Sequence, residues 1–213
     1  HDPRVSPDGA RVVYVVSELT ADGSRYQTDL WLGTLATGEQ RRLTSTLFNE
    51  DAPRWSSDGL SIAFLSDRES PGAGNGWVQV RSLALAGGEA TALTASPTGV
   101  SAYEWYPGGG AIAYLAPEGA TDAGRARAAA GDDAWVASEH PGHARIHRLE
   151  LPGRVSTPLT PAGRFVTSFT VAPDGSRIVY AAQEEAGANG LFGSDLFSVA
   201  AAGGAPSPFV VRP

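Results

Sequence analysis

SPDGARVVYVVSE, residues 6–18, reads either as a site or as a corner. Asp8 beside a serine and a proline has the composition of a catalytic or metal-binding loop. Asp-Gly followed directly by an apolar run has the composition of a hairpin turn. Recurrence along the chain decides between the two. Aligned on the glycine, SPDG at 6–9 is matched by SSDG at 56–59, YPGG at 106–109 and APDG at 172–175. Gly9 to Gly59 is 50 residues, Gly59 to Gly109 is 50, and Gly109 to Gly175 is 66. The apolar runs VVYVV from Val12, IAFL from Ile62, IAYL from Ile112 and IVYA from Ile178 keep the same step, as do their aromatic residues Tyr14, Phe64, Tyr114 and Tyr180. A fixed period of this size marks a repeat architecture.

Each repeat holds four strand candidates. The first precedes the corner: DPRV at 2–5, APRW at 52–55, AYEW at 102–105 and SFTV at 168–171. The second is the apolar run, and its consecutive apolar positions predict a strand covered on both faces. The third is DLWLGTL from Asp29, QVRSLAL from Gln79, RIHRLEL from Arg145 and DLFSVAA from Asp195. After a glycine-bearing turn comes a fourth, ending in Leu43-Thr44, Leu93-Thr94, Leu159-Thr160 and Phe209-Val210. Corner glycine to the end of the fourth strand is 34 residues in the first, second and fourth units and 50 in the third. The third unit therefore carries 16 extra residues, within the stretch 118–143.

Regular short strands on a repeat of about 40 to 50 residues indicate an all-β fold, a β-propeller with four four-stranded antiparallel blades. The expected blades are 1–45, 46–96, 97–163 with the insertion 118–143, and 164–213, forming one partial propeller. A corner explains Asp8, Asp58 and Asp174 together, and a turn accepts Gly108 in the aspartate's place where a catalytic acid would not.

The totals narrow the rest. At 213 residues the chain can bury a sizeable core. Without cysteine it has neither disulfides nor thiolate ligands, which leans toward a cytoplasmic setting. A net charge of −7 argues against nucleic acid and against an anionic membrane surface. No apolar run approaches the roughly 18 residues needed to cross a bilayer. All 16 basic residues are arginine, read as coding bias in a GC-rich genome, and methionine is absent altogether. The chain is accordingly expected to be a piece of something longer, or a processed product.

PRVSPDGARVVYVVS, PRWSSDGLSIAFLSDR and VAPDGSRIVYAAQ resemble the propeller repeats of prolyl-oligopeptidase-type serine peptidases, closest to the acylaminoacyl-peptidase branch. The opening DPRVSPDG resembles the start of a first blade there, and GDDAWV at 131–136 followed by ARIHRLEL is similar to that branch's join into a third strand. TolB-like periplasmic propellers carry similar repeats. The resemblance implies a seven- or eight-bladed propeller capping a carboxy-terminal α/β-hydrolase domain with a Ser-Asp-His triad. This chain holds four blades and no G-x-S-x-G nucleophile elbow, so no triad residue carries over.

The remaining candidates have plainer readings beside their chemical ones. Ser61, in GLSIA, lies just past a corner at the place filled by Arg11, Ala111 and Arg177, without a strand-turn-helix around it. His140, His143 and His147 have the look of metal spacing, but His147 falls where Trp31 and Phe197 fall, a position for a flat ring packed between blades. Asp132, Asp133 and Glu139 read as solvation of a Gly/Ala-rich insertion rather than as an acid–base pair. Arg4, Arg54, Glu104 and Thr170 share an inner-strand position that would line a channel; they read as steering charges for a peptide or, more plainly, as an ion pair between Arg54 and Glu104.

No catalytic, cofactor-binding or metal residue is therefore assigned. The sequence predicts a non-catalytic propeller portion that gates short or N-acylated peptides toward a hydrolase domain, with no cofactor. Its partners would be that domain of the same protein and short peptides, with self-association open through uncovered blade faces. The alternative is a TolB-like periplasmic binding propeller without an enzyme. A complete four-bladed ring is disfavoured, because the first unit opens on its inner strand and the fourth ends on its outer one.

Overall fold

The apolar runs that follow the Asp-Gly corners become the second strands of antiparallel sheets. The computed structural model describes residues 1–68, 77–119, 142–183 and 194–210. These group into two compact units. One holds His1–Val100 with Pro107–Ala111 and Leu151–Arg154; the other holds Ser101–Tyr106, Ile112–Glu150 and Val155–Pro213.

The first unit contains two four-stranded sheets. One is β1 (Arg4–Val5), β2 (Arg11–Leu19), β3 (Tyr26–Thr34) and β4 (Gln40–Arg42), in that spatial order. The other is β5 (Glu50–Trp55), β6 (Ser61–Ser66), β7 (Gln79–Ala84) and β8 (Thr91–Ala92), again in order. Val13, Val15 and Leu30 of the first pack with Ile62, Phe64 and Leu83 of the second into one core, flanked by Leu43, Trp55, Leu85 and Ala90.

The second unit repeats the pattern in β9 (Ala102–Trp105), β10 (Ala111–Pro117), β11 (Ala144–Glu150) and β12 (Val155–Pro158), and then in β13 (Phe165–Val171), β14 (Arg177–Gln183), β15 (Ser194–Ala200) and β16 (Ser207–Val210). A single parallel bridge, Ala144 to Phe165, links β11 to β13 and makes the two meanders one eight-stranded sheet. The join 118–143 closes at its base, where the Glu118 N–H donates to the His143 carbonyl at 2.8 Å. Asp132, Asp133, Glu139 and His140 lie outside the described residues.

Two expectations need refinement. In β6 and β10 consecutive side chains are buried, as a strand covered on both faces requires. In β2 and β14 full burial alternates, with Val13 and Val15 or Ile178, Tyr180 and Ala182 inside and their neighbours half-covered. Consecutive apolar residues thus mark the strand without fixing how much of its second face is enclosed.

The second refinement concerns the Leu-Thr pairs, which stand just beyond the fourth strand rather than within it. β4 ends at Arg42, β8 at Ala92 and β12 at Pro158. The Leu43 N–H donates to the Leu30 carbonyl at 2.7 Å, while the Thr44 hydroxyl accepts from the Leu30 N–H at 2.9 Å. Leu93 and Thr94 treat Val80 alike, at 2.8 and 2.9 Å. Leu159 and Thr160 treat Ile146 alike, at 2.8 and 3.1 Å. One residue of each third strand has both backbone groups satisfied by a chain that is already leaving the ladder, which buried backbone demands.

Thr94 is 4 % exposed, and its hydroxyl also donates to Gln79 Oε1 at 2.8 Å. Thr94→Val keeps the shape and strands the Val80 N–H, so urea unfolding should register a loss of about 1–3 kcal/mol. The same change at exposed Thr91 should stay within about 0.5 kcal/mol of the parent. Equal losses at both positions would remove the hydroxyl from the account.

Candidate functional site

Asp8 is a corner. Its Oδ1 accepts the Ser6 hydroxyl at 2.5 Å and the Ala10 N–H at 3.0 Å, and the Ser6 Oγ accepts the Arg11 N–H at 2.9 Å. Asp58 repeats this with Ser56 at 2.6 Å and the Leu60 N–H at 2.9 Å. Asp174, preceded by Ala172 rather than serine, takes the Ser176 N–H and hydroxyl at 2.9 and 2.7 Å. The glycines that follow take φ of 72°, 68° and 70° at Gly9, Gly59 and Gly175, the left-handed region a tight turn requires. In the third unit Gly109 has φ 74°, and a Cβ there would stand 2.8 Å from the Ser57 hydroxyl, a second reason for glycine. Ser61 is the first residue of β6; its N–H donates to Ser56 Oγ at 3.0 Å, a ladder and corner role.

The inner-strand charges are spent locally. Asp2 has φ 47°, and its carboxylate stands between Arg4 at 2.6 Å and Arg54 at 3.0 Å. Arg54 also donates to its neighbour's carbonyl, Pro53 O, at 2.8 Å. The ladder between β5 and β6 slips between Asp51 and Arg54, where Ala52 has φ 50°, and this bulge re-aims Arg54. In the other unit, Glu104 accepts the Val171 N–H at 2.7 Å and the Thr170 hydroxyl at 3.2 Å. Asp2 supplies a counter-charge for Arg54, and a strand amide serves Glu104.

The histidines diverge. His143 Nδ1 lies 3.9 Å from Glu118, and its ring is tilted on Phe165 at 4.4 Å between centroids. His147 stacks on Tyr114 of its own sheet at 5.0 Å and 14°. Burial, and then the charge of Arg145, push its pKa below the ordinary histidine value. Tyr180 and Phe197 stack in the same way at 5.5 Å, and Tyr14 is in register with Trp31 and Phe64 with Arg81. The flat group at this place therefore packs across its own sheet. Among the described residues no group of three His, Asp or Glu side chains is arranged to hold a metal.

A fifth corner escaped the alignment because it lies off the repeat period. In TADGSR the Thr20 hydroxyl donates to Asp22 at 2.6 Å, the Ser24 N–H donates to it at 3.1 Å, and Gly23 has φ 69°. It turns β2 into β3. The string T-x-D-G was the available signal.

No family model matches the chain. In sequence it is 38% identical over 72 residues to the uncharacterized peptidase YuxL of Bacillus subtilis, covering 34% of this chain and 11% of that protein. It is 36% identical over 63 residues to dipeptidyl-peptidase 5 of Porphyromonas gingivalis, covering 30% and 9%. These matches span about a tenth of each relative's length. In structure the chain is similar to acylaminoacyl peptidase of Pyrococcus horikoshii, with TM-score 0.68 and 16% identity over 99% of this chain and 32% of that one. It is similar to TolB of Acinetobacter baumannii, with 0.64 and 19% over 100% and 43%. It is also similar to the β-propeller domain of the trilobed protease of Pyrococcus furiosus, with 0.61 and 13% over 100% and 57%. The fold is a β-propeller of four-stranded antiparallel blades, and the resemblance to peptidase propellers read from the repeats stands.

The corners make a titration measurable. Hydrogen bonds from Thr20 and then Ser24 hold the Asp22 carboxyl at about 2, against an ordinary 3.8. Ser6 and Ser56 first, and the Ser176 N–H at the fourth repeat's corner, lower Asp8, Asp58 and Asp174. A depressed carboxylate stabilises above its unfolded value, and that contribution disappears as pH falls through the folded one. Carbon-detected NMR should place the Asp22 midpoint near 2; a midpoint at or above 3.8 would remove the corner geometry.

Proposed function

We propose that this chain is the non-catalytic, amino-terminal propeller portion of a serine oligopeptidase or acylaminoacyl peptidase. The observation that carries this reading is the 72-residue match to a peptidase at 38% identity, within a fold shared along its whole length with peptidase propellers. The propeller restricts entry, so that short or N-acylated peptides reach a carboxy-terminal α/β-hydrolase domain of the same protein while folded substrates are excluded. That domain supplies the nucleophile, base and oxyanion hole. The site of action is cytoplasmic.

The structural role agrees with how the chain's charges are used. Corner aspartates hold turns, Asp2 bridges two arginines, and Glu104 anchors an amide. TolB supports a second reading, a periplasmic binding propeller with no enzyme, since its fold covers the whole chain at a comparable score.

One experiment separates them. The 213-residue chain and the full-length gene product are each incubated with a fluorophosphonate probe, N-acetyl-peptide anilides of increasing length, and a folded protein substrate. The fragment should show no labelling and no turnover. The full-length product should label on one serine and cleave the short peptides while sparing the folded protein. Absence of labelling in a full-length product that carries an export signal would favour the TolB-like reading. Turnover by the fragment alone would overturn both.

A further inference from the structure

The repeat supplies its own control for one residue. Glu50 opens β5 at the position filled by Val100 and Val166 in the next two repeats, which are 4 % and 5 % exposed. Glu50 is 0 % exposed. A carboxyl replaces a methyl-bearing side chain at an interior position, and a buried charge is costly unless it is fully matched.

It is matched by hydroxyls alone, Thr46 first and Thr44 more weakly. Oε1 accepts the Thr46 hydroxyl at 2.7 Å, whereas Oε2 is buried without a partner among the described residues. From β3 it meets Asp29, itself 4 % exposed and already engaged by Arg42 of β4 and by the Thr44 hydroxyl. Beyond the end of β6 lies Arg68, which pairs with Glu89 at 3.3 Å and lies over the Phe48 ring. From β7 comes Arg81, whose guanidinium donates to the Ala90 and Arg68 carbonyls at 3.3 Å. Asp67 is taken by the Asn49 N–H and side-chain amide at 2.8 and 2.9 Å. On Glu50's own strand, Asp51 is exposed and accepts the Ala52 N–H. The arginines favour the anion, while burial and the Asp29 charge oppose it. Burial is the largest influence, and the Glu50 carboxyl is held above its ordinary 4.5.

We propose that Glu50 is a proton-operated latch on the crossing from the first sheet to the second, locking residues 43–50 as a neutral acid and loosening them on ionising. As a neutral acid Glu50 buries no charge, whereas on ionising it leaves a charged Oε2 with no donor among the described residues. Glu50 holds the crossing through the Thr46 hydroxyl, and the same segment is fastened to Gln27, Thr28 and Asp67 by Thr46 and Asn49 and to Leu30 by Thr44. A group whose folded pKa is raised stabilises fully below its unfolded value, and that stability is lost as pH rises through the folded one.

The test compares the parent 213-residue chain with Glu50→Gln, which keeps the neutral shape and its donor, and with Glu50→Val, the residue of the neighbouring repeats. Urea midpoints are measured from pH 4 to 8, together with the exchange protection of the Leu30 amide held by Thr44. The parent should lose stability relative to both variants as pH rises above 4.5. The loss is about tenfold in folding constant for each unit by which the folded carboxyl exceeds its unfolded value. Leu30 protection should fall over the same window in the parent alone. Parallel profiles for parent and variants overturn the latch. If Glu50→Gln fails to fold, Glu50→Val and direct carbon-detected titration of Glu50 in the parent decide, and a midpoint at or below 4.5 overturns it.

Discussion

Each of these sheets has to release its fourth strand without leaving the third strand's backbone unpaired. The first three do so with one leucine amide and one threonine hydroxyl, which take the carbonyl and the N–H of Leu30, Val80 and Ile146. An unpaired buried amide costs on the order of a few kcal/mol, so the demand is strict while the rest of the fourth strand is free to be short and exposed. β8 is two residues long and still suffices. The chain then crosses to the next inner strand from a fixed departure point. In the fourth meander Val210 stands at the threonine's place and lacks a hydroxyl; there β16 stays paired with β15 through Val210 itself.

The residue just before the latched one solves the same problem with different chemistry in each sheet. Gln79 is a complete answer, since its carbonyl accepts from Thr94 and the Ser96 N–H while its amide donates to the Ser96 carbonyl. Arg145 donates twice to the Thr160 carbonyl. Asp29 can only accept, so Arg42 is drawn in as donor to it and to the Thr44 carbonyl. Glu50 is buried beside Asp29.

How much of this was visible in the residues differs by kind of feature. Corners were legible because Asp-Gly imposes a backbone conformation that few residues adopt, and a turn does not depend on distant neighbours. The Leu-Thr recurrence was legible as a pattern but not as a latch, because leucine and threonine both suit a strand, and only coordinates show the hydroxyl reaching back past the ladder's end. His147 could be placed by register with Trp31 and Phe197, yet its partner, Tyr114, depends on cross-strand pairing rather than on stacking between sheets. The partner of Arg4 and Arg54 was not legible, because Asp2 was read as part of a strand. Its left-handed backbone sends the carboxylate between Arg4 and Arg54, and spacing alone does not reveal that.

Solved propellers that superpose on this chain agree with it at only 13% to 19% of positions in sequence. The requirements described here explain how so little identity suffices. A glycine at each corner, an aromatic in each second strand and a donor–acceptor pair at the first three departures are met by few positions, and most others need only be apolar or soluble. The same economy separates fold from function. Sheets built this way host binding propellers and peptidase propellers alike, and nothing in a corner or a latch distinguishes them. A 72-residue stretch at 38% identity agrees with a peptidase about twice as often as the chain agrees with those solved propellers. The weight of the peptidase reading therefore rests on that stretch, and the weight of the propeller reading rests on the repeats.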